Sequence, residues 1–148
     1  MFNFHLVIIS ALIALPVPIA TSVEKAFLQN SPEALRELLT SEGTVPLSLP
    51  EPLSLADHVS PDQTYLVFKR IFSVFKTTEF NAEAGLSSLP GQAGGILKAR
   101  WSFRNERTGN SYPFRVYFYV VPVPLPSPGT SREAGFVFRI VEIRAERL

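Results

Sequence analysis

Asp57-His58 is the place where this chain sets a carboxylate beside an imidazole, a base that titrates near neutrality. Paired, such groups could pass a proton as general acid and base. Adjacent residues seldom orient one another, however, and Asp57 serves equally well as a turn former in the proline-rich loop around it. A metal site would need three or four ligands, and His58 with Asp57 falls short of that. A second constellation lies further along. Arg100, Arg104 and Arg115 sit in strand-like segments, and Tyr117 and Tyr119 alternate onto the face of Arg115. Guanidinium forks bind phosphates and carboxylates bidentately, so this set could hold an anion. The plainer reading is a solvated sheet face, with these arginines paired to Glu79, Glu83 and Glu142. Arg100, Arg115, Tyr117, Tyr119 and His58 are therefore the candidate ligand-binding residues. No residue is read as catalytic or as a metal ligand, and no cofactor is expected. Neither a glycine-rich phosphate loop nor a Gly-x-Ser-x-Gly nucleophile turn occurs. With no cysteine, disulfides, thiolate zinc sites, thiol catalysis and lipid attachment at cysteine are excluded.

The elements that must position these residues are legible in the spacing. Val23, Ala26 and Phe27, then Leu35, Leu38 and Leu39, repeat at helical intervals around Asn30-Ser31-Pro32. Ser31 suits an N-cap and Pro32 the first helical position. Residues 22–41 thus read as a bent helix or two short ones, stopped near Gly43. Val45, Leu47 and Leu49 alternate as in a short strand, which Pro46 and Pro50 consign to a sheet edge. Pro-Leu-Ser-Leu occurs at 46–49 and again at 52–55, too few copies for a repeat architecture. Ser60-Pro61-Asp62-Gln63 is a capping box, and Tyr65, Phe68, Ile71, Phe72 and Phe75 then form one apolar face of a helix of about four turns. Four strands follow: one around Phe80 to Ala84, one around Ala99, Trp101 and Phe103, one over 113–121, and one over 134–146. Residues 85–95 read as a loop, and Arg107-Thr108-Gly109-Asn110 as a hairpin turn. Pro122, Pro124, Pro126 and Pro128 end the third strand, as a rigid connection or as an extended arm for a partner. In the last strand Phe136, Phe138 and Ile140 share one face, and Val137, Val141 and Ile143 the other.

Leu6 to Leu15 is an apolar run, followed by Pro16, Pro18 and small residues at Ala20, Thr21 and Ser22. This is the layout of a secretory leader over residues 1–22, cleaved after Ala20 or Ser22, although no lysine or arginine precedes the run. The run is too short to span a bilayer. A single domain over 23–148 remains, in a secreted or periplasmic location, with no membrane span after cleavage. Twelve Phe, four Tyr and one Trp supply a core, and 18% charged residues argue against disorder. Net charge is +1, unevenly spread: residues 21–83 carry nine acidic and five basic groups, residues 84–148 four and nine. Aromatics interleaved with arginine also mark single-strand nucleic-acid sheets, but near-neutral charge and export argue against a nucleic-acid partner.

Helices first and strands after define an α+β fold: N-terminal helices and one long helix on a strongly curved four- to five-stranded antiparallel sheet. With the opening Val23 to Phe27, with Leu35, Leu38 and Leu39, and with the closing Phe136 to Ile143 strand, the chain resembles the nuclear transport factor 2-like, cystatin-like superfamily. It resembles in particular small exported members without an assigned function. The resemblance implies a cone whose open end can hold a small apolar ligand. Some members are isomerases, dehydratases or cyclases; many only bind or dimerise. The expectation is thus a non-enzymatic domain binding a small apolar or anionic ligand or a protein, or a homodimer formed through the sheet. The rivals are a cofactor-free lyase or isomerase using His58, Asp57 or Tyr117 in the cone, and a structural envelope protein.

Overall fold

Two short helices open the described chain, α1 (Ile19–Leu28) and α2 (Pro32–Leu38). The computed structural model describes residues 18–83, 87–88, 94–125 and 135–148. The run Leu6 to Leu15, most of the 85–95 stretch, and Pro126 and Pro128 lie outside the described residues. α1 buries Val23, Ala26 and Phe27, the stripe its spacing predicts. Asn30 turns the chain at φ 48°, a left-handed conformation that asparagine tolerates. The Ser31 hydroxyl accepts from Ala34 N at 3.1 Å and starts α2. Either expected cleavage site falls within the first turn of α1.

The strands β1 (Val45–Leu49) and β2 (Leu55–Val59) form an antiparallel hairpin. The long helix α3 (Pro61–Val74) then runs from the reciprocal Ser60–Gln63 capping box. β3 (Phe75–Ala82) follows without a loop, so Phe75 opens a strand instead of closing the helix face. β4 is the two-residue Ser87–Ser88, and β5 (Gly95–Asn105), β6 (Ser111–Pro124) and β7 (Phe136–Arg147) complete the sheet. Its order is β2-β1-β7-β6-β5-β3, with β4 beside β5. The sheet is open, curled and mostly antiparallel, with more strands than the expected four to five.

Three corrections to the sequence reading have clear physical causes. β1 is interior: it pairs with β2 on one side and runs parallel to β7 on the other. Pro46, which has no N–H to donate, is tolerated there because the pairing with β7 covers only Leu47 and Ser48. β6 does not break at Pro122. It stays paired to β7 as far as Pro124, while pairing to β5 ends at Val120. Two prolines two residues apart point their missing N–H groups to one edge, and past Val120 one edge has no partner among the described residues. In β7 a register shift opposite Tyr119 and Val120 places one extra residue at Val141. Such a bulge reverses the alternation, so Ile140 and Ile143 are both fully buried instead of facing opposite ways.

The helices and the inner sheet face share one interior. The Phe27 ring lies 4.7–5.9 Å from the rings of Phe68, Phe72, Phe80, Trp101 and Phe118. Phe75 meets Phe103 edge-on at 5.4 Å, and Phe114 stands against both Trp101 and Phe103. Such pairs add to the area they bury, each by roughly 0.5–1.5 kcal/mol. Thr77, just before a bulge in β3, ties the interior to the turn between α1 and α2: its N–H donates to Asn30 Oδ1 and its hydroxyl accepts from Trp101 Nε1, both at 2.9 Å.

Candidate functional site

The β-alternation that turns Ala99, Trp101, Phe114, Val116 and Phe118 inward turns their neighbours outward. Arg100, Arg115, Tyr117 and Tyr119 therefore occupy the outer face of the sheet, away from the aromatic interior. Arg100 and Arg115 are direct cross-strand partners, and Arg115 is in turn opposite Glu146. Glu146 serves two groups: its Oε1 accepts from the Tyr117 hydroxyl at 2.8 Å and lies 3.8 Å from Arg115. The carboxylate holds the phenolic proton and so raises the Tyr117 pKa above its ordinary value, with desolvation adding to the shift. Glu142 lies opposite Tyr119 and pairs with Arg144 at 3.1 Å. The expected partners Glu79 and Glu83 are replaced in this role by Glu146; Glu79 instead accepts from Asn81. Arg104 is exposed, opposite Lys76 and Ser111.

His58 is not in a loop. It belongs to strand β2, at the end of the sheet, because Leu55 to Val59 pair residue for residue with β1. It is exposed, and the contact between it and Asp57 is made by its backbone N–H, 2.7 Å from Asp57 Oδ1, not by the imidazole. With Pro46, Ser48, Glu142 and Arg144 it lines a shallow depression on the outer face. The five candidate residues thus share one face, but Arg100 and Arg115 belong to a different part of it from His58. Among the described residues no group of three His, Cys, Asp or Glu could hold a metal ion.

Beneath the sheet the arrangement differs. Among the described residues Thr64 is the one buried polar side chain, and its hydroxyl donates to Ser60 O at 2.9 Å. Tyr112, a titratable group, lies on the inner face, half-buried with its ring against Phe75 and Phe103, whereas Tyr117, one expected cone residue, faces the other way.

A groove that sequence reasoning missed runs between α3 and the β1–β2 turn. Leu53, Ser54, Leu55 and Val59 form one wall; Gln63, Leu66, Val67, Arg70 and Ile71 form the other, around about 500 Å³. Leu66 is 59% exposed at its rim. The second Pro-Leu-Ser-Leu copy supplies Leu53 and Leu55, whereas the first lies wholly in β1. The signal available in the sequence was Leu66 itself, a large apolar residue off the core face of α3. A further hollow of about 750 Å³ lies between α2, the start of α3 and the β6–β7 ribbon, crossed by the Arg36–Asp62 ion pair.

Helices laid on a curled, mostly antiparallel sheet define the nuclear transport factor 2-like, cystatin-like fold, and solved structures of that fold match this chain. A DUF4783 family protein from Bacteroides uniformis ATCC 8492 superposes with a TM-score of 0.63 at 17% identity, over 88% of this chain and 98% of that one. A ketosteroid isomerase-like protein from Erwinia carotovora atroseptica SCRI1043 gives 0.58 at 14%, over 87% and 90%. An NTF2-like protein of unknown function in nutrient uptake from Rhodospirillum rubrum ATCC 11170 gives 0.56 at 11%, over 86% and 93%. At these identities the likeness is one of fold. No protein-family profile and no curated protein matches the chain. Among the described residues no helix is long and apolar enough to cross a membrane.

Proposed function

We propose that this chain is an exported domain that binds a small ligand and does not transform it. The observation that carries the reading is the groove between α3 and the β1–β2 turn. It is mainly apolar, and its 500 Å³ falls within the size range of small-molecule sites. An acid–base enzyme of this fold needs a titratable group turned into a concavity. The fully buried groups described here are aromatic and aliphatic apart from Thr64, whose hydroxyl is bonded to Ser60 O, and Tyr112 is half-buried at the edge of the inner face. Export rests on the Leu6 to Leu15 run and the small residues that follow it.

Native mass spectrometry of protein purified without denaturation tests the binding reading, together with uptake of anilinonaphthalene sulfonate by the folded protein. A co-purifying small molecule, or saturable uptake lost in Leu66→Glu, is the expected result. Neither signal would overturn it. N-terminal sequencing of the protein from its own host tests export: a start at Thr21 or Val23 is expected, and an intact Met1 would refute it.

A second reading, pairing of two copies through the outer sheet face, draws on one feature. Lys98 and Arg100 of β5 stand on one side of Tyr117 and Tyr119, and Glu142, Arg144 and Glu146 of β7 on the other. A two-fold axis at the tyrosines lays each Lys98–Arg100 strip over the partner's Glu142 and Glu146, with Arg144 between them. Light scattering on the wild type and on Tyr119→Glu distinguishes dimer from monomer.

A further inference from the structure

We infer that the groove beside α3 takes a single-headed amphiphile, an unbranched alkyl chain ending in a carboxylate that Arg70 binds; this rests on the small-ligand reading above. The shape comes from the helix. Gln63 and Arg70 are two turns apart, so the α3 wall is roughly 10 Å long. Leu66 and Val67 lie between them, facing Leu53, Leu55 and Val59. Leu66 keeps more than half of its surface in water, an apolar exposure that a bound alkyl chain would cover.

The head group follows from charge. Arg70 is the sole charged residue lining the groove, and among the described residues it makes no ion pair. The other polar linings are Ser54 and Gln63. The Gln63 Oε1 is already committed to Ser60 N in the capping box. One guanidinium at one end of an otherwise neutral trough complements one anionic head, and its planar fork matches a carboxylate. A cationic head would meet like charge. A ligand with two anionic groups would leave one without a partner on the lining.

Calorimetric titration of the folded domain with decanoate, decanol and decyltrimethylammonium, the two ions below their micelle concentrations and the alcohol below its solubility limit, separates the claims. Decanoate should bind about tenfold more tightly than decanol, the scale of one charge-assisted hydrogen-bonded pair, and the cation most weakly. Arg70→Gln should bring decanoate to the level of decanol and leave decanol unchanged, and Arg70→Lys should restore part of the difference. Leu66→Glu should abolish binding of both decanoate and decanol. Both positions are exposed, and near-ultraviolet circular dichroism checks that the variants fold. Equal affinities for the three probes, or an Arg70→Gln variant that binds decanoate as the wild type does, would overturn the carboxylate assignment and leave the binding groove standing. Failure of every probe to bind the wild type would overturn the groove as well.

Discussion

One helix serves two regions of opposite construction. Along α3, Phe68, Ile71 and Phe72 face the interior, where rings from α1, β3, β5 and β6 fill the space beneath the sheet. A short rotation around the same helix brings Leu66, Val67 and Arg70 to a trough that nothing described fills. The fold offers a concave sheet, and this sequence packs it with large side chains. Open concavities lie at its flanks instead, one of them between the helix and the hairpin turn. On the reading proposed above, the site lies on the flank of α3 and not beneath the sheet, and a shared fold does not fix which of the two is used.

Breaking the interior tests the first half of this contrast. Phe27→Ala should cost about 3–5 kcal/mol in urea denaturation, because five aromatic neighbours surround a fully buried ring. A loss below about 1 kcal/mol would mean that the interior has slack, in conflict with a filled one. Trp101→Phe should cost less, about 1–3 kcal/mol, by leaving the Thr77 hydroxyl without its indole donor. Thr77→Val in the same background should recover part of that loss. On the groove side the expectation reverses. Leu66→Ser should change unfolding stability by no more than about 0.5 kcal/mol while weakening alkyl binding, and a large destabilisation would make Leu66 a core residue.

The smallest effect concerns the rim of α3, where the Tyr65 hydroxyl donates to Glu33 Oε1 at 3.0 Å and Arg36 lies over the ring. Backbone hydrogen bonding first, and this phenol second, hold the Glu33 carboxyl below its ordinary value of 4.5. Its contribution to stability is thus present above that value and is lost as pH falls through the lower folded one. Glu33→Gln should flatten this part of the acid limb in pH-dependent unfolding. An unchanged limb would show that the pair contributes nothing.

Local chemistry made much of the fold legible in the sequence. Ser31, Ser60 and Gln63 announce their helix starts, and the aromatic spacing of α3 and the alternation through Trp101 and Phe118 identify the inner face. Long-range pairing was hidden. Leu55-Ala-Asp-His-Val shows no apolar–polar alternation, so β2 emerges only when β1 is there to pair with it. The parallel contact of β1 with β7 joins residues almost a hundred positions apart, and the bulge at Val141 leaves no compositional mark. Arg100, Arg115, Tyr117 and Tyr119 were placed correctly on one face by period-two alternation. The groove was not foreseen because its walls come from separate segments, and because Leu66 and Arg70 look like ordinary solvated positions until the hairpin turn is set beside them.

The carboxylate of Asp57 has a consequence of another kind. A sheet that ends in an open strand exposes backbone donors that another molecule's strand can adopt, the usual beginning of polymerisation. Asp57 engages the amide of His58 in the strand that ends this sheet. Two residues whose types suggest proton transfer thus meet as a carboxylate and a backbone donor, the kind of group an open sheet edge leaves available.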